Sequence, residues 1–232
     1  MLFESVSKFR DERDTLTKHT TKKFPTRSIS KITTLIVHHS LTKSGTAKAF
    51  SNYHVETNGW PGIGYHFVIE KDGDIVWCNS LETKSYHVGN SNGFCVGICL
   101  VGDFRSEEPT EEQMKSLFKL SKALMEDLDI TSEFVKGHSE MDGYAWKACP
   151  VIDMDDLRTK VKDYNEGGEL PTFIENTGIT ELPKNTTYIV KRGDTLWKIA
   201  EDYANMTVRE LLLLNPGINP RNVKMGQEIR IK

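Results

Sequence analysis

The chain has 232 residues, 38% of them hydrophobic, and a formal net charge of −3. This length allows one large domain, or one domain with a small module, and the negative charge argues against a nucleic-acid-binding surface. No apolar stretch approaches the roughly 20 residues that a membrane-spanning helix needs. The charge is uneven, because residues 187–232 carry +3 and the rest carries −6, which favours two modules.

The N-terminal segment is charged and lacks the apolar stretch of a secretory signal peptide, so we expect synthesis in the cytoplasm without one. Leu2, Val6, Phe9 and Leu16 recur at helical spacing. This pattern predicts an amphipathic helix that packs on the main domain.

Four cysteines occur in the chain, and without a secretory signal a disulfide framework is not expected. Cys95 and Cys99 lie in one strand-like run, where a rise of about 3.3 Å per residue places them roughly 13 Å apart, beyond the reach of a disulfide. We therefore expect Cys78, Cys95 and Cys99 to be small buried side chains.

Apolar runs predict the strands of the main domain. Residues 32–37 form a β-branched run typical of a central strand, which ends at His38 and His39. A helix is predicted over residues 46–57. Asp72-Gly73 between two apolar runs predicts a hairpin, and residues 96–101 predict a further strand.

A capping box at residues 110–113 opens a predicted helix with a clear apolar face. Residues 134–136 predict a short strand, and residues 155–164 predict a last helix. Because strands and helices alternate, the fold class is α/β, with a mixed central β-sheet flanked by helices. The predicted catalytic domain is residues 1–164, with the N-terminal helix inside residues 1–29.

Residues 165–186 contain glycine, proline and polar residues without a sustained period, and they predict a linker. Residues 187–232 then predict a β-α-α-β module, which is close to the lower size limit for independent folding.

His38, His138 and Cys149 are the residue types that bind zinc. Two histidines and one cysteine make a three-ligand set, which leaves the fourth tetrahedral position open for water. An open position is typical of a catalytic zinc site, so we interpret the set as a candidate catalytic centre.

Five stretches of the main domain resemble the zinc amidases that include bacteriophage amidase-type lysozymes and animal peptidoglycan recognition proteins. They are residues 36–40, 62–67, 87–90, 96–102 and 147–150. The resemblance implies a mixed-sheet fold and one zinc ion on His38, His138 and Cys149. It also implies that Tyr65 and Lys147 are catalytic, as donors to the oxyanion that develops on the substrate.

One departure concerns residues 141–146, which lengthen the segment between the second histidine and the cysteine relative to the family. His87 is a candidate substrate-binding residue at the edge of the groove. Trp60 and Trp146 are either sugar-stacking residues or buried aromatics, and the sequence leaves both possibilities open.

Residues 190–200 and 214–219 resemble a LysM module, a family that binds N-acetylglucosamine-containing glycans. The resemblance implies a groove between the loop after the first strand and the loop before the second. It carries over to Gly193, Asp194, Thr195, Leu196, Asn215, Pro216 and Ile218.

These resemblances predict an endolysin-like N-acetylmuramoyl-L-alanine amidase that uses zinc-activated water and acts on the cell wall after release. The expected partner is peptidoglycan, with the stem peptide at the catalytic groove and glycan at the LysM module, and with no nucleic acid or membrane partner. Two alternatives stay open, a non-catalytic recognition protein and a wall peptide endopeptidase. The zinc ligands, Tyr65 and Lys147 argue against the first, whereas the sequence separates the second poorly.

Overall fold

The computed structural model describes residues 1–171, 187–191, 194–200, 208–215, 218 and 223–231. The chain divides into two compact units, Met1–Phe173 and Ile174–Lys232. All four cysteines are buried and unbridged, as predicted for Cys78, Cys95 and Cys99. Among the described residues, no helix combines the length and the apolar character that crossing a membrane requires.

The first unit contains a six-stranded mixed sheet, as predicted. Its strands are β1 (Phe9–Asp11), β2 (Thr34–His39), β3 (Phe67–Ile69), β4 (Ile75–Trp77), β5 (Cys95–Leu100) and β6 (Val135–Gly137). Their order is β1-β4-β3-β5-β2-β6. The β3–β4 hairpin is antiparallel, and β2 pairs in parallel with both β5 and β6. Because β2 is central, all its residues are buried, which explains its continuous apolar run.

Three helices of the first unit confirm the predicted helical segments. They are α1 (Ala47–Glu56), α2 (Glu111–Leu128) and α3 (Met154–Asn165). The Thr110 side chain accepts a hydrogen bond from the backbone N–H of Gln113, and the Gln113 side chain accepts one from the backbone N–H of Thr110, which completes the capping box. The apolar face of α2 then packs on the sheet and contributes Leu117, Phe118 and Leu124 to the main core.

The predicted amphipathic helix over residues 2–16 is wrong. The segment forms a short 3-10 helix over Leu2–Ser5 and then β1, which pairs in parallel with β4. Lys8 has φ of 61°, a left-handed conformation that ends any right-handed helix at this point. The apolar spacing serves a different purpose, because the Phe3 ring packs edge-on against Trp77 with centroids 5.1 Å apart.

The second unit has the predicted β-α-α-β order. Its elements are β7 (Thr187–Ile189), α4 (Leu196–Ile199), α5 (Val208–Leu214) and β8 (Glu228–Arg230), and β7 pairs antiparallel with β8. A separate core includes Tyr188, Leu196, Leu211 and Ile229. Most of the predicted linker, residues 172–186, lies outside the described residues.

Candidate metal centre

Parallel strands bring the two candidate histidine ligands together. His38 lies at the carboxyl end of β2, and His138 follows directly after β6. Because β2 and β6 are parallel neighbours, their carboxyl ends meet at one edge of the sheet. Cys149 reaches the same edge through a hydrogen bond from the Ser139 backbone N–H to its carbonyl oxygen, at 2.9 Å.

The three candidate ligands form one buried cluster. His38 Nδ1 lies 3.1 Å from His138 Nδ1 and 3.8 Å from Cys149 Sγ, and the three ligand atoms all lie within 4.8 Å of one another. Tetrahedral zinc bonds of ordinary length separate two nitrogens by about 3.3 Å and a nitrogen from a sulfur by about 3.6 Å. Two neutral imidazoles facing through Nδ1 form at most one hydrogen bond, whereas a shared cation uses both lone pairs. The residues therefore fit a zinc ion.

The electrostatics of the cluster also suit a metal. Burial lowers the pKa of His38 well below its ordinary value, and it lowers the pKa of His138 to about 4. Both rings are therefore neutral near pH 7, as metal ligands must be. Burial raises the pKa of the Cys149 thiol to about 11, against the opposing effects of the His39 backbone and the Lys147 charge. A coordinating cation supplies the charge that stabilises its thiolate.

His87 orients His38 through the ring nitrogen that does not face the other candidate ligands. His38 Nε2 lies 3.1 Å from His87 Nδ1, and His87 Nε2 lies 3.4 Å from the carbonyl oxygen of Cys95. When His38 offers Nδ1 to a metal, its proton is on Nε2 and is donated to His87, which in turn donates to Cys95. His87 is only 8% exposed, and both of its ring nitrogens are engaged. Its predicted contact with substrate stays a prediction.

His39 positions the cysteine ligand. The backbone N–H of Phe104 donates to His39 Nδ1 at 3.1 Å, so the ring proton is on Nε2. That nitrogen lies 3.0 Å from the carbonyl oxygen of Ala148 and donates to it. Cys149 is therefore held on one side by β2 and on the other by the turn that follows His138.

Tyr65 lies beside the histidine cluster, with its ring centroid 5.4 Å from that of His38. The residue is half-buried. Burial raises the pKa of its phenol well above the ordinary value, and the neighbouring thiols of Cys99 and Cys149 raise it further. The phenol therefore stays protonated and is a hydrogen-bond donor, with the Cys99 thiol as its partner in this structure.

Lys147 lies close to the ligands despite the longer segment before it. Burial is the largest cause of the lowered pKa of His138 and of the raised pKa of Cys149. The positive charge of Lys147 adds to the first shift and opposes the second. Its Nζ is 5.5 Å from the ring centroid of Tyr144 and 5.2 Å from that of Trp146. A cation between two aromatic faces is attracted by both, which holds the ammonium group near the metal site.

The carboxylate nearest in sequence to these ligands is already engaged. Glu140 accepts a hydrogen bond from the Gly137 backbone N–H at 2.7 Å and forms an ion pair with Arg158 at 2.9 Å. Its charge therefore anchors α3 to the turn after β6, and the carboxylate is not free to act as a general base.

Sequence reasoning missed Arg27, a buried cation that is 9% exposed. Its Nε donates to the carbonyl oxygen of Leu81 at 2.9 Å, and its Nη1 donates to those of Asn92 and Cys95 at 2.8 and 2.7 Å. Asn92 Oδ1 in turn accepts from the backbone N–H of His87 at 3.0 Å. Arg27 thus fixes the loop that carries His87, and an isolated arginine in the sequence gives no signal of this role.

The predicted glycan-binding positions of the second unit are described in part. Gly193 and Pro216 lie outside the described residues. Asp194 Oδ2 accepts from the Tyr188 hydroxyl at 2.8 Å, and it also accepts from the Lys191 backbone N–H. Thr195 is exposed.

The remaining positions of that set serve the fold of the module. Leu196 is buried in its core, and Ile218 packs against the same core. The Asn215 side chain both donates to the carbonyl oxygen of Arg230 and accepts from its backbone N–H, at 2.7 Å each. These side chains therefore support the fold of the module, and their predicted binding role stays a prediction.

Comparisons with known proteins match two families. Residues 28–151 match the family described as N-acetylmuramoyl-L-alanine amidase, and residues 188–232 match the LysM domain. The endolysin of Escherichia phage T7 is 30% identical over 128 residues, which cover 52% of this chain and 81% of that protein.

Solved structures extend the likeness to the fold. The amidase endolysin LysCS from Clostridium intestinale superposes with a TM-score of 0.58 at 28% identity, covering 67% of this chain and 96% of that one. The bumblebee peptidoglycan recognition protein SA superposes with a TM-score of 0.53 at 22% identity, covering 61% of this chain and 87% of that one. This second likeness concerns the fold alone.

Proposed function

The chain belongs to the N-acetylmuramoyl-L-alanine amidase family, and on this premise we propose that it is zinc-dependent and that His38, His138 and Cys149 hold the metal. It is an endolysin-like amidase that acts on peptidoglycan and carries a LysM domain. The observation that supports zinc is the buried cluster, whose three ligand atoms lie within 4.8 Å of one another.

The reaction is the hydrolysis of the amide that joins the lactyl group of N-acetylmuramic acid to L-alanine. When bound at this cluster, zinc supplies a Lewis acid for the amide carbonyl and a lowered pKa for water. His38 and His138 contribute neutral imidazoles, and Cys149 contributes a thiolate. His87 and His39 orient this set through the hydrogen bonds described above.

Tyr65 and Lys147 act on the carbonyl oxygen of the substrate. As the carbonyl carbon becomes tetrahedral, negative charge develops on that oxygen, and preorganised donors stabilise it more in the transition state than in the ground state. The protonated Tyr65 phenol donates a hydrogen bond, and the Lys147 ammonium contributes a positive charge beside the cluster. Since Glu140 is engaged by Arg158, we assign no carboxylate base, and the proton that the attacking water loses goes to the departing amine of alanine.

The proposal is tested by identifying the bond that the full chain cuts in purified peptidoglycan. We expect new free alanine amino termini and no new reducing sugar ends. Removal of zinc with a chelator abolishes the release, and adding zinc restores it. Cys149→Ala loses metal and activity together, whereas Cys78→Ala, at a buried cysteine outside the cluster of candidate ligands, keeps both.

Each alternative gives a different product. Amino termini of residues other than alanine identify a peptide endopeptidase, and new reducing ends identify a glycosidase. Binding of peptidoglycan by the zinc-loaded chain without any release identifies a recognition protein. Full zinc content in Cys149→Ala removes that residue from the site.

We further propose that the two units divide the work, with residues 1–164 catalytic, residues 165–186 a linker and residues 187–232 the glycan-binding module. Tethering raises the effective concentration of the catalytic unit at its insoluble substrate. A chain that ends near Asn165 should therefore cleave soluble muropeptides as the full chain does, but lose activity on intact walls. Equal activity of both chains on intact walls contradicts this division.

A further inference from the structure

Trp146 is the most exposed of the large hydrophobic side chains described in the catalytic unit, at 78%. Its position is nevertheless fixed, because Nε1 donates to the carbonyl oxygen of Gly143 at 3.0 Å. Two successive turns hold the backbone, with hydrogen bonds from Tyr144 N–H to Met141 and from Lys147 N–H to Tyr144, at 2.9 Å each. The indole therefore presents a rigid apolar face to solvent.

This face is continuous with the metal centre. The Tyr144 ring lies 4.5 Å from the His138 ring, centroid to centroid, and the Lys147 ammonium lies between Tyr144 and Trp146. Tyr144 is itself held in place, since its hydroxyl packs so closely on Gly89 that a Cβ at that position would clash with it. The Tyr144 ring, the Lys147 ammonium and the Trp146 indole thus form a row that leads from His138, a proposed zinc ligand, to the exposed indole.

Trp60, the other tryptophan that the sequence left undecided, offers no such face. It is half-buried, and its ring packs on His54 and Tyr86 with centroids 4.7 and 5.9 Å apart. The possibility of sugar stacking therefore applies to Trp146.

We propose that Trp146 is a stacking platform for a pyranose ring of the glycan strand, next to the amide that is cut; this inference rests on the proposed amidase function. In that substrate the scissile carbonyl belongs to a lactyl ether on the N-acetylmuramic acid ring. When the amide is at the metal centre, the sugar is necessarily close to it. The C–H face of a pyranose is apolar and flat enough to pack on an indole, and tryptophan offers the largest such surface.

The test compares substrates with and without sugar in the full chain. The substrates are a disaccharide-peptide from muramidase digestion and the same peptide acylated with lactic acid alone. We expect Trp146→Ala to lower kcat/KM roughly tenfold more on the disaccharide-peptide than on the lactyl-peptide, a difference of about 1.4 kcal/mol. A loss common to both substrates reports the contact between Trp146 and Lys147. Trp146→Phe should recover most of the loss, and Phe134→Ala, at an exposed aromatic away from the row, should lose nothing on either substrate.

If the lactyl-peptide is cut too slowly for its kcat/KM to be compared, inhibition by a sugar provides a second measurement. Peptide-free disaccharide should inhibit wild type and Trp146→Phe, and inhibit Trp146→Ala roughly tenfold more weakly. Equal losses on both substrates, or equal inhibition of wild type and Trp146→Ala, overturn the platform and assign the residue to the peptide or to the fold. If wild type releases alanine amino termini from no substrate, the amidase proposal itself fails, which is a different result.

Discussion

Replacing His87 with alanine tests whether the orientation of a zinc ligand depends on a residue that does not touch the metal. In the structure, the proton on His38 Nε2 has His87 Nδ1 as its acceptor at 3.1 Å. His38 is only 2% exposed, so water does not readily replace that acceptor. His87→Ala therefore leaves a buried N–H without a partner in the zinc-bound state.

The size of the effect follows from that unpaired group. A buried donor that loses its acceptor costs about 1–3 kcal/mol. Since roughly 1.4 kcal/mol corresponds to a factor of ten, zinc binding should weaken about 5- to 150-fold. This range agrees with the roughly 10- to 100-fold losses typical when a residue behind a metal ligand is removed.

Competition with a chromophoric chelator measures the zinc dissociation constant of each variant. His87→Gln keeps an acceptor oxygen and should bind within a few fold of wild type, and His19→Ala controls for the loss of a histidine distant from the cluster. Thermal unfolding of the zinc-free proteins checks that each variant is folded. If His87→Ala binds zinc as tightly as wild type, or His87→Gln binds as weakly as His87→Ala, the hydrogen-bond argument is refuted.

Three further predictions follow from the same contacts. Gly97→Ala places a Cβ 2.7 Å from the His87 ring, so it should weaken zinc binding by displacing that ring; an unchanged dissociation constant would show that the ring adjusts freely. Tyr65→Phe and Lys147→Ala should keep zinc and lower kcat by roughly 10²–10³-fold each, and a nearly fully active Lys147→Ala would place that residue outside the chemistry. Arg27→Met removes the donors of three buried carbonyl oxygens and should lower the free energy of unfolding by about 3 kcal/mol, measured with urea; an unchanged midpoint and slope would contradict this.

The elements that sequence predicted well are those in which local pattern and tertiary environment agree. The capping box at Thr110 fixes the start of α2 through contacts within four residues, so it is visible in sequence. The run before His38 is apolar on both faces because β2 is buried on both faces. The carboxyl end of β2 then locates His38, a candidate ligand, since functional groups gather at the carboxyl ends of parallel strands.

The features that the sequence did not predict depend on contacts between residues that are distant in the chain. Residues 2–16 have helical apolar spacing, but the free edge of β4 offers backbone pairing, and the left-handed Lys8 prevents a continuous helix. The roles of His87, His39 and Arg27 depend on partners that are distant in the sequence. His87 and His38, for example, are separated by 49 positions. No local pattern encodes such a pairing, so the sequence predicts the candidate ligands but not the hydrogen bonds that orient them.

The hydrogen bond between Ser139 N–H and the Cys149 carbonyl closes the base of the loop that joins two candidate metal ligands, His138 and Cys149. Within that loop Met141 is buried and the Tyr144 ring packs on His138, whereas the other residues of the 141–146 segment are exposed. The exposed residues can therefore change while these two contacts are retained. Within this loop, the residues that support hydrolysis are therefore a different set from the residues that are exposed to the cell wall. A designer could exchange the exposed residues Asp142 and Ala145 to alter how cell walls are bound, while keeping Tyr144 and Trp146 beside Lys147 for amide cleavage.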